Sequence, residues 1–296
     1  MSTRTLGTKQ QPDAPQREPG GTRKRMSGGS ALMYFVSLAL VAVILAPVAY
    51  LIIGGFRSNS QITVDPSGLP TSWNFENYFD VLSSSMFWTE VRNSSVAALT
   101  TTIFVVVLGL MAAYVLARYN FRGRGLMYSL FAAGLMFPMT VAITPLYILL
   151  RDLGLTNSLL GIIVPQVAFA LPMTVIILVP FLRSLPPELE EAAFIDGCSR
   201  LGFFRRMVIP LSLPAVITVG ILAFIASWNS YMLPLFILND ESTYTLPLGV
   251  QAFSSQYSVD TARVLAFTSL SMIPALIFFS LFERRIVGGL TGAVKG

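Results

Sequence analysis

Residues 188–210 read ELEEAAFIDGCSRLGFFRRMVIP, and this stretch differs sharply from the sequence on both sides of it. It contains four acidic residues, three arginines and two glycines. The flanking segments 159–182 and 211–238 contain no Asp, Glu, Lys or Arg. A compact charged segment between two such runs is either a plain connecting loop or a surface that a partner recognises.

The composition of the whole chain indicates the class of protein. Hydrophobic residues make up 54% of it, charged residues 12%, and the mean hydropathy is +0.67, which is too apolar for a water-soluble domain. Uncharged apolar stretches of about 18 or more residues are typical of membrane-spanning helices. The sequence therefore predicts an all-α polytopic membrane protein with six transmembrane helices. These lie at 31–53, 94–117, 126–150, 159–182, 211–238 and 264–282.

The distribution of basic residues predicts how the chain crosses the membrane. With an even number of spans, both termini lie on the same side as the loop at 183–210. Four of the 20 Lys and Arg residues fall on the opposite side: Arg57, Arg92, Arg151 and Arg263. The positive-inside rule therefore places both termini and the 183–210 loop in the cytoplasm, and 57–90 and 239–262 outside. This topology accounts for the net charge of +5, so no nucleic-acid partner is needed.

The N-terminal segment differs in composition from the rest of the chain. Residues 1–30 are rich in Gln, Pro, Gly, Ser and Arg and contain too few apolar residues to form a core. We therefore expect a disordered cytoplasmic tail at 1–30, followed by a six-span transmembrane domain at 31–296. The apolar run that starts at Ala31 is longer than the apolar part of a signal peptide, which predicts an uncleaved first span.

Several kinds of chemistry are missing from the sequence. The chain has no histidine and one cysteine, Cys198, and the cores of the predicted spans carry no Asp, Glu, Lys or Arg. A membrane-embedded enzyme would need a cluster of such residues, and a secondary transporter usually depends on buried ionisable groups. No phosphate-binding loop of the G-x-x-x-x-G-K-[ST] type occurs, so this chain does not bind ATP in that way. These absences favour a non-enzymatic carrier of a neutral cargo, driven by an energy source outside the chain.

The charged stretch itself predicts two short helical pieces at the cytoplasmic surface. Pro187 suits a helix start, and the acidic residues after it complement the positive end of a helix. Gly197 is typical of a helix end, and Ser199 of the N-cap of a second piece. Pro210 is expected to terminate that second piece. One face of the first helix would carry the residues at i, i+3 and i+4 spacing, where small side chains allow another surface to approach: Leu189, Ala192 and Ala193.

The same stretch resembles the E-A-A loop of ATP-binding-cassette importer permeases. The matching residues are Glu191, Ala192, Ala193, Gly197 and Pro210, with Met207 where that family often has isoleucine. Four further segments are similar to maltose-type carbohydrate permeases: AAYVLARYNFRGRG at 112–125, PLYILLRDLGLTNSLLG at 145–161, SWNSYMLPLFIL at 227–238 and GGLTGAVKG at 288–296. The resemblance covers nearly everything from about residue 31 to the end of the chain.

This resemblance implies a type I importer permease fold, with a cytoplasmic coupling helix in the loop at 183–210. The implied partners are a second permease subunit, two cytoplasmic ATPases, an extracytoplasmic solute-binding protein and membrane lipid. ATP and Mg would be bound by the ATPases, while this chain would carry no cofactor, no metal and no catalytic residue. The residues implied in ATPase coupling are Glu188, Glu191, Ala192, Ala193, Asp196, Gly197 and Pro210. The implied location is a bacterial-type cell membrane, and the implied cargo is a di- or oligosaccharide.

A polar group within the fifth predicted span is a candidate for contact with the cargo. The group consists of Trp228, Asn229, Ser230 and Tyr231. Aromatic rings stack on the C–H faces of sugars, and amide and hydroxyl groups bond to sugar hydroxyls. The alternative for this group is helix–helix packing, with Asn229 bonding across the bundle.

The external loop at 244–257 resembles the loop with which such permeases meet the binding protein. Its candidate contact residues are Gln251, Phe253 and Ser254. The alternative is a polar loop that is simply solvated. An importer of the same architecture for another solute, such as glycerol phosphate or a polyol, is an alternative function at this point.

Overall fold

The structure, a computed structural model of the 296-residue chain, describes residues 28–253 and 259–293. Side chains are described for residues 32–253 and 259–281. The predicted tail at 1–30 therefore lies almost entirely outside the described residues, as does Ser254 of the predicted binding-protein loop. The described residues divide into two units at residue 47, which lies within the first helix.

The regular elements of the described residues are helices, and the longest of them come from the apolar runs. In chain order the α-helices are α1 (Gly28–Gly54), α2 (Asn59–Val64), α3 (Glu76–Ser83), α4 (Ser85–Arg118), α5 (Arg124–Gly134), α6 (Met139–Asp152), α7 (Leu159–Ser184), α8 (Glu188–Ile195), α9 (Arg200–Phe203), α10 (Ile209–Trp228), α11 (Met232–Ile237), α12 (Leu246–Gly249) and α13 (Thr261–Ala293). A π-helical turn, Phe204–Val208, joins α9 to α10. Short 3-10 turns at Glu241–Thr243 and Val250–Phe253 lie before and after α12.

Within 28–253 and 259–293, five helical stretches are long and apolar enough to cross a membrane, and they correspond to five of the six predicted spans. They are Leu32–Gly54, Ser85–Arg118, Leu159–Ser184, Arg200–Trp228 and Thr261–Leu281. Helices satisfy their backbone hydrogen bonds internally, which a lipid environment requires of a spanning segment. The all-α membrane fold predicted from composition is confirmed.

The third predicted span, 126–150, is not one continuous helix, so that part of the prediction is wrong. α5 and α6 are separated at residues 135–138 and are bent by 99° relative to each other. Pro138 directly precedes α6, and because it has no N–H it cannot continue the hydrogen bonding of α5. It also disfavours helical backbone at the residue before it. The described residues therefore contain six spans only if this bent pair counts as one.

The fifth predicted span, 211–238, is also interrupted. α10 ends at Trp228, residues 229–231 are not helical, and α11 starts at Met232. In a continuous helix the ring of Pro234 would collide with the carbonyl of Ser230, and the proline would leave that carbonyl without its donor. The break therefore places the polar residues of this segment at a point where the backbone leaves the helix.

α4 is the central helix of the unit formed by residues 48–296. It packs against α7 and α10, and small buried residues along it keep these contacts close. At Gly109 a Cβ atom would collide with Cγ2 of Thr174 on α7, so the two helices approach closely because this residue is glycine. With 34 residues and a rise of about 1.5 Å per residue, α4 is about 50 Å long. Its two ends position two separate candidate sites.

Candidate functional site

The predicted coupling segment forms α8, and its end depends on Gly197. The backbone N–H of Gly197 donates to the carbonyl of Phe194 at 3.1 Å, and that of Cys198 donates to the carbonyl of Ala193 at 2.9 Å. These two bonds form a Schellman motif, which places a left-handed residue just after the helix. Gly197 has a φ of +78°, and a Cβ atom added there would meet nothing within 4 Å. The glycine is therefore needed for its backbone conformation and not for space.

α8 presents one face to solvent and turns the opposite face toward the protein. Six residues of 188–196 are exposed: Glu188, Glu191, Ala192, Phe194, Ile195 and Asp196. Leu189 is half-buried, and Ala193 packs against the core formed by α4, α7 and α10. On the face that these residues share, Leu189 and Ala193 lie toward the protein and Ala192 toward solvent, and the approach of another surface to this face stays a prediction. Ala192 and Ala193 point in different directions because successive residues differ by about 100° around a helix.

The protein-facing side of α8 is attached to the end of α4. The guanidinium Nε of Arg118 lies 3.9 Å from Oε2 of Glu190, and its Nη2 donates to the carbonyl of Leu185 at 2.9 Å. The two charged side chains are only 9% and 18% exposed, so salt screens this ion pair less than it would screen one at the surface. The position of α8 is therefore set by α4.

The second half of the segment starts as predicted but ends differently. Ser199 Oγ accepts a hydrogen bond from the N–H of Gly202 at 3.1 Å, so Ser199 is the N-cap of α9. The chain then passes through the turn Phe204–Val208 into α10, and Pro210 lies in the first turn of α10. The prediction that Pro210 terminates this piece is wrong. The π turn changes the hydrogen-bond register just before Pro210, and a proline is tolerated in the first turn after such a change.

The opposite end of α4 holds the loop that follows α11. Asn93 Nδ2 donates to the backbone carbonyls of Ser242 and Tyr244, at 2.9 Å each. Ser94 Oγ accepts from the backbone N–H of Leu246 at 2.8 Å. Both side chains are buried, so losing either bond would leave a buried polar group without a partner. Sequence reasoning missed Asn93 and Ser94, although two polar residues at the start of an apolar run were a signal for them.

A second contact fixes the same loop. Asn157, which has a φ of 55°, accepts hydrogen bonds at its Oδ1 from the backbone N–H groups of Asn239 and Asp240, both at 2.9 Å. Asp240 in turn accepts from the backbone N–H and the hydroxyl of Ser242, and these bonds hold the pKa of its carboxyl below the usual value. The loop after α11 is therefore held by side chains from two different parts of the chain.

The structure separates the candidate cargo residues by environment. Trp228 is buried, its ring stacks on Phe224 with 5.6 Å between centroids, and its Nε1 donates to the carbonyl of Ser271 at 3.3 Å. Asn229 is exposed and lines a cavity of about 440 Å³ beside α13. Among the residues with described side chains, no hydrogen bond joins the Asn229 amide to another helix. Both residues line this cavity, Trp228 from a buried position that packing accounts for and Asn229 from an exposed one.

The remaining candidates lie around the helix break and in the loop after it. Ser230 is half-buried, and Tyr231 is exposed with its hydroxyl accepting from Gln251 Nε2 at 3.3 Å. This bond connects the break to the predicted binding-protein loop. Phe253 in that loop is half-buried, and its ring centroid lies 5.4 Å from that of Phe267. The predicted contact at Ser254 stays a prediction.

A family match covers the coupling segment and the loop after α11. Residues 105–288, well over half of the chain, match the family described as the inner membrane component of binding-protein-dependent transport systems. The chain belongs to this family. The matched region of this transport-system component includes the coupling segment, the break at 229–231 and the loop after α11.

Relatives of this transport-system component match it over most of their length. It is 34% identical over 264 residues to the diacetylchitobiose uptake system permease protein NgcG of Streptomyces coelicolor, with 88% of this chain and 87% of the relative covered. It is 36% identical over 260 residues to the trehalose transport system permease protein SugB of Mycobacterium tuberculosis, with 87% and 94% covered. The family assignment therefore does not depend on one short motif.

A solved structure shares the fold of this transport-system component. The structure is described as a bacterial ABC transporter involved in the import of the acidic polysaccharide alginate. One of its chains matches with a TM-score of 0.73 and 23% sequence identity, covering 87% of this chain and 98% of that chain. The importer permease fold implied by the E-A-A resemblance is confirmed.

Proposed function

We propose that the chain is a permease subunit of an ATP-driven, binding-protein-dependent sugar importer. The observation that carries the proposal is the arrangement along α4. α8 is anchored near Arg118 by its protein-facing side, and the loop after α11 is anchored near Asn93, at the other end of the same helix. A movement imposed on α8 can therefore reach the opposite side of the membrane through one rigid element.

The exposed face of α8 suits docking to a cytoplasmic ATPase. Ile195 is 85% exposed, and the acidic residues Glu191 and Asp196, four residues before it and one residue after it, are exposed as well. An exposed aliphatic side chain with a charged rim is the composition of a small protein–protein contact. In this proposal Glu188, Glu191, Ala192 and Asp196 contact the ATPase, whereas Ala193, Gly197 and Pro210 shape the segment. ATP and Mg would be bound by two ATPase subunits.

A second permease subunit would complete the translocation path. One side of α4 is buried against α7 and α10, while its other side carries large exposed apolar residues. These include Ile103, Phe104, Val107 and Leu108. We expect this surface to be covered by lipid and by helices of the second permease, in a cell membrane that leaves both termini in the cytoplasm.

The cargo that best fits the cavity at Asn229 is a neutral di- or oligosaccharide. The cavity offers the amide of Asn229, hydroxyls from α13 and an aromatic ring at Phe279, and no charged side chain is among its lining residues. These groups can bond to sugar hydroxyls and stack on sugar rings. The names of the two relatives specify diacetylchitobiose and trehalose, which supports a sugar as the cargo class.

Reconstitution in vesicles tests the proposed function. With the second permease, the ATPases and the binding protein present, uptake of a labelled sugar should require ATP on the cytoplasmic side. The chain reconstituted alone should move no sugar under any proton gradient, because its energy source lies in its partners. Gradient-driven sugar uptake by the isolated chain would overturn the proposal.

A further inference from the structure

One carboxylate has no hydrogen-bond partner among the described side chains, and it lies near the end of α4 that holds the loop after α11. Glu90 is 1% exposed, and neither of its carboxylate oxygens has a hydrogen-bond partner among the residues with described side chains. By contrast, Asn93 and Ser94, one turn further along the same helix, both form hydrogen bonds with the backbone of the loop after α11. Sequence reasoning placed Glu90 outside the span at 94–117, but α4 begins at Ser85 and includes it.

Glu90 lines a cavity of about 360 Å³. The cavity is also lined by residues from three parts of the chain: Asp80 and Ser84 before α4, Gly249 and Phe253 after α11, and Arg263 on α13. At Gly249 a Cβ atom would collide with Oε2 of Glu90, so this glycine leaves room for the carboxylate. The carboxylate therefore sits at a cavity that is built from three parts of the chain.

The charges around the cavity do not balance. Arg263 is its basic residue, and its guanidinium is already engaged by two acids. Nη2 of Arg263 donates to Asp80 Oδ2 at 2.6 Å, and Nη1 donates to Asp260 Oδ2 at 3.1 Å. Glu90 therefore adds a third acidic side chain around a single arginine, and the lining of the cavity holds no second basic residue.

A buried carboxylate of this kind is unfavourable unless a positive group or hydrogen-bond donors reach it. A neutral sugar could offer hydroxyl donors but would not compensate the charge that this carboxyl carries when it is ionised. An ammonium or guanidinium group compensates the charge and supplies donors at the same time. Charge complementarity therefore favours a cationic occupant.

We propose that this cavity receives a cationic side chain of the extracytoplasmic binding protein, whose ammonium or guanidinium group pairs with Glu90. The cavity lies beside Phe253, in the loop that the sequence analysis connects with the binding protein, and at the end of α4 opposite to α8. The inference rests on the proposed function, because it requires a binding protein that docks on this side.

The ion pair would hold the docked binding protein in place. A buried ion pair strengthens a complex mainly by slowing dissociation, whereas exposed charges mainly change the association rate and its salt dependence. Removal of the Glu90 charge should therefore weaken docking at low and at high salt. Removal of an exposed charge on the same side should have an effect that disappears when salt is raised.

The test uses the complete transporter in lipid nanodiscs and its purified binding protein, with docking measured by biolayer interferometry. We expect Glu90→Gln to raise the Kd by roughly tenfold or more at both salt concentrations. Glu90→Asp, which keeps the charge on a shorter side chain, should give an intermediate loss. The matched control is Glu76→Gln, which removes the same charge from an exposed position on α3.

An unchanged Kd for Glu90→Gln would overturn the inference, and so would a higher thermal stability of that variant without weaker docking. A stabilising effect of phosphatidylethanolamine over phosphatidylglycerol that Glu90→Gln abolishes would show instead that a lipid amine occupies the cavity. Failure of the proposed function has a different signature, because the unmodified transporter would then bind no binding protein at all.

Discussion

Trp228 and Asn229 are adjacent in the chain but lie in different environments. The indole is 4% exposed and packs between Phe224 and α13, while the amide next to it is exposed, although both residues line the same cavity. α10 ends between them, so the change from helix to turn coincides with the change from packing to exposure. Substitutions at the two positions should therefore have different effects.

Trp228→Ala should mainly destabilise the protein. Replacing a buried aromatic residue with alanine costs about 3 to 5 kcal/mol, because the lost contacts leave a cavity. Thermal unfolding of the purified transporter measures this loss. Trp73→Ala is the control, since Trp73 is 58% exposed, and an equal shift in both variants would contradict the assignment of Trp228 to the core.

Asn229→Ala should spare stability and reduce the response to sugar. An exposed substitution usually changes the free energy of unfolding by no more than about 0.5 kcal/mol. Sugar-stimulated ATP hydrolysis should fall several-fold, because the amide would no longer bond to the cargo. Asn239→Ala in the external loop is the control, and a sugar response that Asn229→Ala leaves intact would remove Asn229 from the translocation path.

Gly197→Ala should weaken ATPase docking through the backbone alone. A left-handed conformation costs a residue with a Cβ atom about 1 to 2 kcal/mol, and no steric collision contributes here. Co-purification of the ATPases and sugar-stimulated hydrolysis should both fall. Gly125→Ala is the matched control, because Gly125 also has free space around it but has no positive φ. Equal losses in both variants would argue against the Schellman motif as the cause.

Glu191→Lys should reduce ATPase docking while leaving the subunit in the membrane. Glu191 is exposed on the outward face of α8, so reversal of its charge changes the docking surface without disturbing the core. Quantitative co-purification of the ATPases provides the measurement. Glu76→Lys, at an exposed position on α3, should have no effect on it. Undiminished co-purification with Glu191→Lys would contradict the proposed coupling surface.

The predicted membrane topology can be tested with single cysteines in a Cys198→Ala background. Glu241→Cys and Glu191→Cys both place a thiol at an exposed position. In whole cells a membrane-impermeant maleimide should label position 241 and should fail to label position 191, because the basic side of the chain faces the cytoplasm. Labelling of both positions after lysis is the control. External labelling at position 191 would reverse the orientation.

Local chemistry made some features predictable. Gly197 and Ser199 have the turn and capping roles expected of them, because a helix end is decided by a few adjacent residues. The spacing of Ala192 and Ala193 indicated a helix, but it could not show which of them packs inward. That depends on where α4, α7 and α10 lie, which is information carried by distant parts of the chain.

Other features were not predicted because hydropathy is averaged over a window of residues. Pro138 and Pro234 each lie within a stretch that remains apolar on average, so the breaks beside them left the predicted spans unchanged. Polar residues at the edge of an apolar run shorten the predicted helix. Glu90 and Asn93 were therefore placed outside the predicted span, although both lie within α4. The long-range contacts of Asn93 with Ser242 and Tyr244 leave no trace in the local sequence.

The π turn at Phe204–Val208 has a consequence for chain length. Inserting one residue into a regular helix rotates everything beyond it by about 100°. A π turn absorbs such an extra residue locally, so the helices on either side keep their relative orientation. Deleting one residue within 204–208 would return the turn to α-helical register without rotating α10 relative to α9. Natural homologues can therefore differ by one residue at this point and still keep the same faces of both helices buried.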